Sequence, residues 1–270
     1  VNLAVNSGSI GTGANTLTVT STRTGNGIVL GTLTRTHAFS AGTPYAFEGP
    51  YTTLTFASGG TLPSSVTVFV DTTSPGANTY MQPINRYYVI SQSGGSGYNY
   101  TLRLHYRNSE VVSPNMNSTL KIWQRTSTGP DVWARYGVTA ADSTVNDWVE
   151  YSGITTVGTW SLSSTTVPNL VLNLTSSAVN PVPGDTVVYT IAYTNTGDGS
   201  ATNTIVSAST PIHTTYVLNC VTVNSVSQTD ASDSDGVSVT GGNITVNLAT
   251  IVGTLAPAAN GTITYKVVVN

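Results

Sequence analysis

NPVPGDTVVYTIAYTNTGDGSA, residues Asn180 to Ala201, is the stretch on which the fold turns. Val187, Tyr189, Ile191 and Tyr193 fall on one side of an extended chain, and Val188, Thr190, Ala192 and Thr194 on the other. A period of two is the mark of a strand, and the larger set is expected to pack inward. Pro183-Gly184 before the run and Asn195-Thr196-Gly197 after it are turn residues.

The same pattern recurs along the 270 residues. From about Gly25 to Ser164 short alternating runs such as SSVTVFVDT, RYYVISQ, YNYTLRLHYR, STLKIWQRT, DVWARYG and TVGTWSLSS are separated by turn clusters such as ASGGTLP, TSPGAN and SGGSG. In YNYTLRLHY, Tyr98, Tyr100, Leu102, Leu104 and Tyr106 share one face, with Arg103 and His105 on the other. A slip of one residue would bury the charges, so this register is well specified. SSTTVPNLVLNLTSSA, with Pro168, marks a boundary before a strand carrying Leu170, Leu172 and Leu174. The last strand alternates Ile263, Tyr265, Val267 and Val269. Regular short strands with such turns predict an all-β chain of two antiparallel β-sandwich domains in tandem, 25–165 and 166–270. Residues 1–24 form an N-terminal strand extension, in which two short strands flank the flexible-looking NSGSIGTGAN.

Composition narrows the function. Charged residues are 8% of the chain, against about 25% in ordinary globular proteins. Hydrophobic residues are 39%, enough for a packed core. The net charge of −3 and scattered arginines offer no basic stripe for nucleic acid. No apolar run approaches the ~18 residues of a membrane span. The start at Val1 fits a mature secreted chain whose signal peptide has been removed.

The residues from PNLVLNLTSSAVNPVPGDTVVYTIAYTNTGDGSATNTIVSASTP, followed by ITVNLATIVGTLAPAANGTITYKVVVN, carry a more specific signal. Pro183-Gly184-Asp185, Tyr189, Asn195-Thr196-Gly197, Pro211 and the GTLAPAANGTIT segment together resemble the surface-protein repeat family known as domain of unknown function eleven. The resemblance covers about the last hundred residues and implies an immunoglobulin-like sandwich on a cell surface, with no activity attached. The first domain resembles, more loosely, β-rich segments of large secreted bacterial surface proteins.

Reactive constellations are sparse. His37, His105 and His213 lie far apart and read as surface residues. The three glutamates, Glu48, Glu110 and Glu150, cannot be paired from sequence, and no nucleophile elbow is present. No enzyme is expected. Cys220 reads as a small buried hydrophobe. TDASDSDGVS places Asp230, Asp233 and Asp235 before Gly236, a candidate calcium loop, though without the regular spacing and distal glutamate of a dedicated one. A solvated acidic loop is the plainer reading, and no other cofactor is expected. Trp123 and Trp160 sit in apolar strands, whereas Trp133 or Trp148, if exposed, could stack on a sugar.

The expectation is therefore a structural subunit of an extracellular, pilus-like filament or surface assembly, a homopolymer in which a strand of one copy completes a sheet of the next. Val1, Leu3 and Val5, followed by a Gly/Ser-rich leash, suit the donor strand, and the segment has no obvious partner nearby in sequence. The final strand alternates equally well. The alternative is an adhesin or carbohydrate-binding module that takes cell-surface glycans.

Overall fold

A computed structural model describes residues 1–76, 81–126, 133–137, 140–142 and 145–270. The expected turn at 73–78 and strand at 131–137 fall partly outside these residues. The chain is all-β, built from several sheets, and divides into two compact units, Val1–Thr165 and Thr166–Asn270.

The strands of the first unit are β1 (Leu3–Ala4), β2 (Ser9–Val19), β3 (Arg23–Thr24), β4 (Ile28–Thr36), β5 (Pro44–Ala46), β6 (Thr53–Phe56), β7 (Ser65–Asp71), β8 (Tyr87–Ser93), β9 (Tyr100–His105), β10 (Lys121–Arg125), β11 (Trp133–Arg135), β12 (Ala140–Asp142), β13 (Trp148–Ile154) and β14 (Gly158–Ser163). One sheet has seven strands in the order β11-β10-β14-β8-β7-β4-β2, another has five in the order β12-β13-β9-β6-β5, and β1 pairs with β3. Side chains of the two large sheets meet in one core. Val66, Val68, Val70, Tyr88, Ile90, Trp160 and Leu162 come from the first, and Leu54, Phe56, Tyr100, Leu102, Leu104 and Val149 from the second. All five residues of the expected YNYTLRLHY face are buried, as alternation requires. Trp123 and Trp160 are buried too.

The N-terminal segment departs from the expectation. Residues 9–19 are one strand rather than a leash, irregular only between Gly11 and Thr16, and β2 lies parallel to β4. β1 is likewise parallel to β3, so this corner of the fold is not antiparallel. The return from the end of β2 to the start of β4 is made by the stretch that contains β3.

The second unit contains β15 (Leu170–Ser176), β16 (Thr186–Asn195), β17 (Ile205–Ser209), β18 (Thr214–Tyr216), β19 (Thr222–Val223), β20 (Val226–Ser227), β21 (Val237–Thr240), β22 (Asn243–Asn247), the short helix α1 (Leu248–Ile251) and β23 (Asn260–Val269). A six-stranded sheet runs β15-β16-β23-β19-β20, with β18 also on β23, and a three-stranded sheet runs β17-β22-β21. Val187, Ile191, Tyr193, Ile263, Tyr265 and Val267 of the larger sheet share a core with Val206, Val237, Ile244 and Val246 of the smaller. The inward set of the opening stretch is thus the one its alternation marks, although Tyr189 is only half-buried, stacked on Tyr265 with ring centroids 5.2 Å apart.

Candidate functional site

The landmarks of the second unit are structural. Asp185 Oδ2 accepts from Val182 N at 2.9 Å across the Pro183-Gly184 turn, where Gly184 has φ +95°. Asn195 is fully buried. Its Nδ2 donates to the carbonyls of Gly199, Leu255 and Ala256, and its Oδ1 accepts from the backbone N–H groups of Asn169 and Gly197. A Cβ on Gly197 would stand 2.4 Å from Asn169 N and from Val167 O, which only glycine avoids.

The donor candidates pair within their own unit. Leu3 N donates to Thr22 O at 2.8 Å, Val5 N to Thr24 O at 3.0 Å, and Gly27 N to Val5 O at 2.7 Å. Val1 is exposed, Leu3 packs against the core, and Val5 is buried. The neighbour that the sequence did not reveal is the segment Arg23–Gly27. Gly25 (φ +86°) sits so close that a Cβ there would lie 2.2 Å from Val5 O. The final strand, β23, is held between β16 on one side and β18 and β19 on the other.

An open edge lies elsewhere. Among the described residues β15 pairs only with β16 and ends its sheet, so no described strand lies beside its outer backbone groups. Val171 (48% exposed), Leu172 (48%) and Leu174 (58%) stand on this strand, and only Leu170 reaches the core. The three-stranded layer leaves the outer leucines uncovered. An edge strand bearing large apolar side chains is a template for another strand. Val226 on β20 and Ile205 on β17, both also terminal strands of their sheets, are exposed as well.

The remaining candidates are accounted for locally. Asp230 accepts from Tyr216 Oη (2.6 Å) and Asn219 N (2.7 Å), while Asp233 and Asp235 both accept from Thr229 Oγ1 at 2.9 Å. Backbone N–H groups of Thr229 and Val237 hold the Asp235 carboxyl below the usual range. Among the described residues no group of three or more His, Cys, Asp and Glu side chains is placed to hold a metal. Cys220 is half-buried rather than buried, and its Sγ accepts from Lys266 N at 3.0 Å. Trp133 is buried beside Arg125, and Trp148, half-buried, carries the Arg103 guanidinium 4.0 Å from its ring centroid.

One constellation escaped the sequence reading. Arg86, wholly buried, donates through Nε and Nη2 to Glu110 at 2.7 Å each and through Nη1 to Glu48 at 3.1 Å. Thr52 Oγ1 donates to Glu48 Oε2 at 2.7 Å, and His105 Nδ1 lies 3.3 Å from Glu48 Oε1. His105 is therefore half-buried against a carboxylate, not a free surface residue. Burial pushes Glu48 up, but His105, Arg86 and Thr52 outweigh it and hold the carboxyl below its ordinary range. Both glutamates converge on one guanidinium, an arrangement suited to pinning loops rather than to moving protons. In a chain with so few charges, an arginine abutting the apolar run YYVI was the available signal.

No protein-family model, curated protein or solved structure matches the chain.

Proposed function

We propose that this chain is a structural subunit of an extracellular assembly, joined copy to copy by strand addition, and that β15 is the edge that accepts or supplies the added strand. The exposed Val171, Leu172 and Leu174 on a strand with one open edge carry this reading. Main-chain hydrogen bonds along the edge would supply affinity, and burial of the leucines would add roughly 1.5–3 kcal/mol for each side chain fully covered. The immunoglobulin-like, surface-repeat character that the second unit resembles in sequence supports a place outside the cell.

The geometry of pairing decides what is built. β15 against β15 of a second copy closes as a two-fold dimer, whereas β15 against a different edge propagates into a fibre. The proposal is the second case. Exchange of residues 1–19 between copies would need the β1–β3 and β2–β4 pairings to open first.

Leu172→Lys/Leu174→Lys tests it. The wild-type chain is expected to sediment as a concentration-dependent series and to show filaments in negative stain, and the double variant to remain monomeric with an unchanged circular dichroism spectrum. A wild-type chain that stays monomeric at high concentration, or a variant that still forms filaments, would falsify the edge assignment.

A further inference from the structure

A cavity of about 480 Å³ opens in the first unit beside Arg23, Arg35 and His37. Arg23 and Arg35 are both more than nine-tenths buried. Neither forms a salt bridge among the described residues. Arg23 donates to the carbonyls of Gly25, Gly27 and Glu48, and Arg35 to those of Ala46 (3.1 Å) and Ser21 (2.6 Å). Carbonyls orient a guanidinium but bring no negative charge. The Glu48 carboxylate acts on Arg23 and opposes the effect of burial there, but it is already engaged by Arg86 and His105.

Arg35 is the less compensated of the two. Burial lowers its pKa, Tyr45 opposes this, and the neighbouring charge of Arg23 lowers it further. Two like charges thus line one cavity in a partly desolvated place, and Arg35 has no carboxylate partner among the described residues, a costly arrangement. The Nε atoms of both arginines and Nε2 of His37 are buried and have no hydrogen-bond partner among the described residues. The Tyr45 ring packs against Arg35, its centroid 5.0 Å from the guanidinium carbon. Around the opening, the exposed side chains of Ser21, Thr24 and Thr43 bring hydroxyls that make no hydrogen bond among the described residues.

We propose that this cavity binds a carboxylate-bearing sugar, with the carboxylate against Arg35 and the ring hydroxyls against Ser21, Thr24 and Thr43. A planar guanidinium is suited to a carboxylate by geometry as well as charge. The cavity falls in the size range of small-ligand sites. Free hydroxyls grouped beside an unbalanced cation match a ligand that is both polyhydroxylated and anionic better than a lone ion. The inference stands apart from the assembly proposal, since every residue of the cavity lies in the first unit.

Calorimetric titration of the full chain with methyl glucuronoside, methyl glucoside, acetate and N-acetylglutamate tests it. The glucuronoside is expected to bind at least tenfold more tightly than each of the others. Arg35→Met is expected to reduce that affinity at least tenfold. Should Arg35→Met fail to fold, Thr43→Val, on an exposed residue, is expected to weaken binding about threefold. Equal binding of glucuronoside and glucoside, or no binding of either, overturns the proposal. Acetate or N-acetylglutamate binding as tightly as the glucuronoside overturns the sugar assignment, and unchanged affinity in a folded Arg35→Met overturns the placement.

Discussion

Single residues in this chain act mainly by satisfying backbone, and Asn195 illustrates the point. Its amide serves five backbone groups drawn from three segments, including Leu255, 60 residues later in the chain. The Asn-Thr-Gly triplet was legible as a turn, but a bond to so distant a carbonyl leaves no local trace. The same holds for the ionic cluster. Glu48 and Arg86 are 38 residues apart, and nothing near either names the other. The cluster makes a pH prediction. Because the folded Glu48 carboxyl is held below its ordinary range, its stabilisation is present above that range and is lost as pH falls through the folded value. Urea unfolding of the wild type should therefore show stability falling on acidification below about pH 4, and Glu48→Gln should flatten that fall. At neutral pH the variant should lose about 1–3 kcal/mol, since Arg86 keeps its two bonds to Glu110. A variant equal to wild type in stability and acid response would show that the contact contributes nothing.

Strands follow alternation closely where a second sheet covers them. β9, β16 and β23 bury the faces that their sequences mark, because an apolar face of period two has only one register that hides it. β15 shows the limit of that logic. Its leucines alternate as cleanly as any, yet alternation cannot say whether an opposing layer extends over the strand. β2 shows another. Its Gly/Ser/Asn content suggests a leash, but a parallel partner, β4, supplies the hydrogen bonds that order it. Gly25 is the hinge of this arrangement, since its positive φ and the closeness of Val5 O leave no room for a side chain. Gly25→Ala should cost about 1–3 kcal/mol and loosen the first strand. Thermal unfolding together with limited proteolysis within residues 1–8 would register both effects. Unchanged melting and unchanged cleavage would mean that β1 is not held by this contact.

For the molecule as a whole, the all-β class followed from short alternating runs rich in Thr, Val and Tyr and separated by turn clusters. What the chain is for depends on which edges stay open, a property of sheet order that only the folded structure displays. In the second unit the exposed leucines of β15 concentrate apolar surface at a sheet margin. The account rests on pairing between copies along that margin. Hydrogen–deuterium exchange over residues 170–176 of the full chain, at dilute and at concentrated protein, tests it most directly. The account predicts that the amides of β15 facing away from β16 become protected as concentration rises. Fast exchange of this segment at every concentration would contradict it.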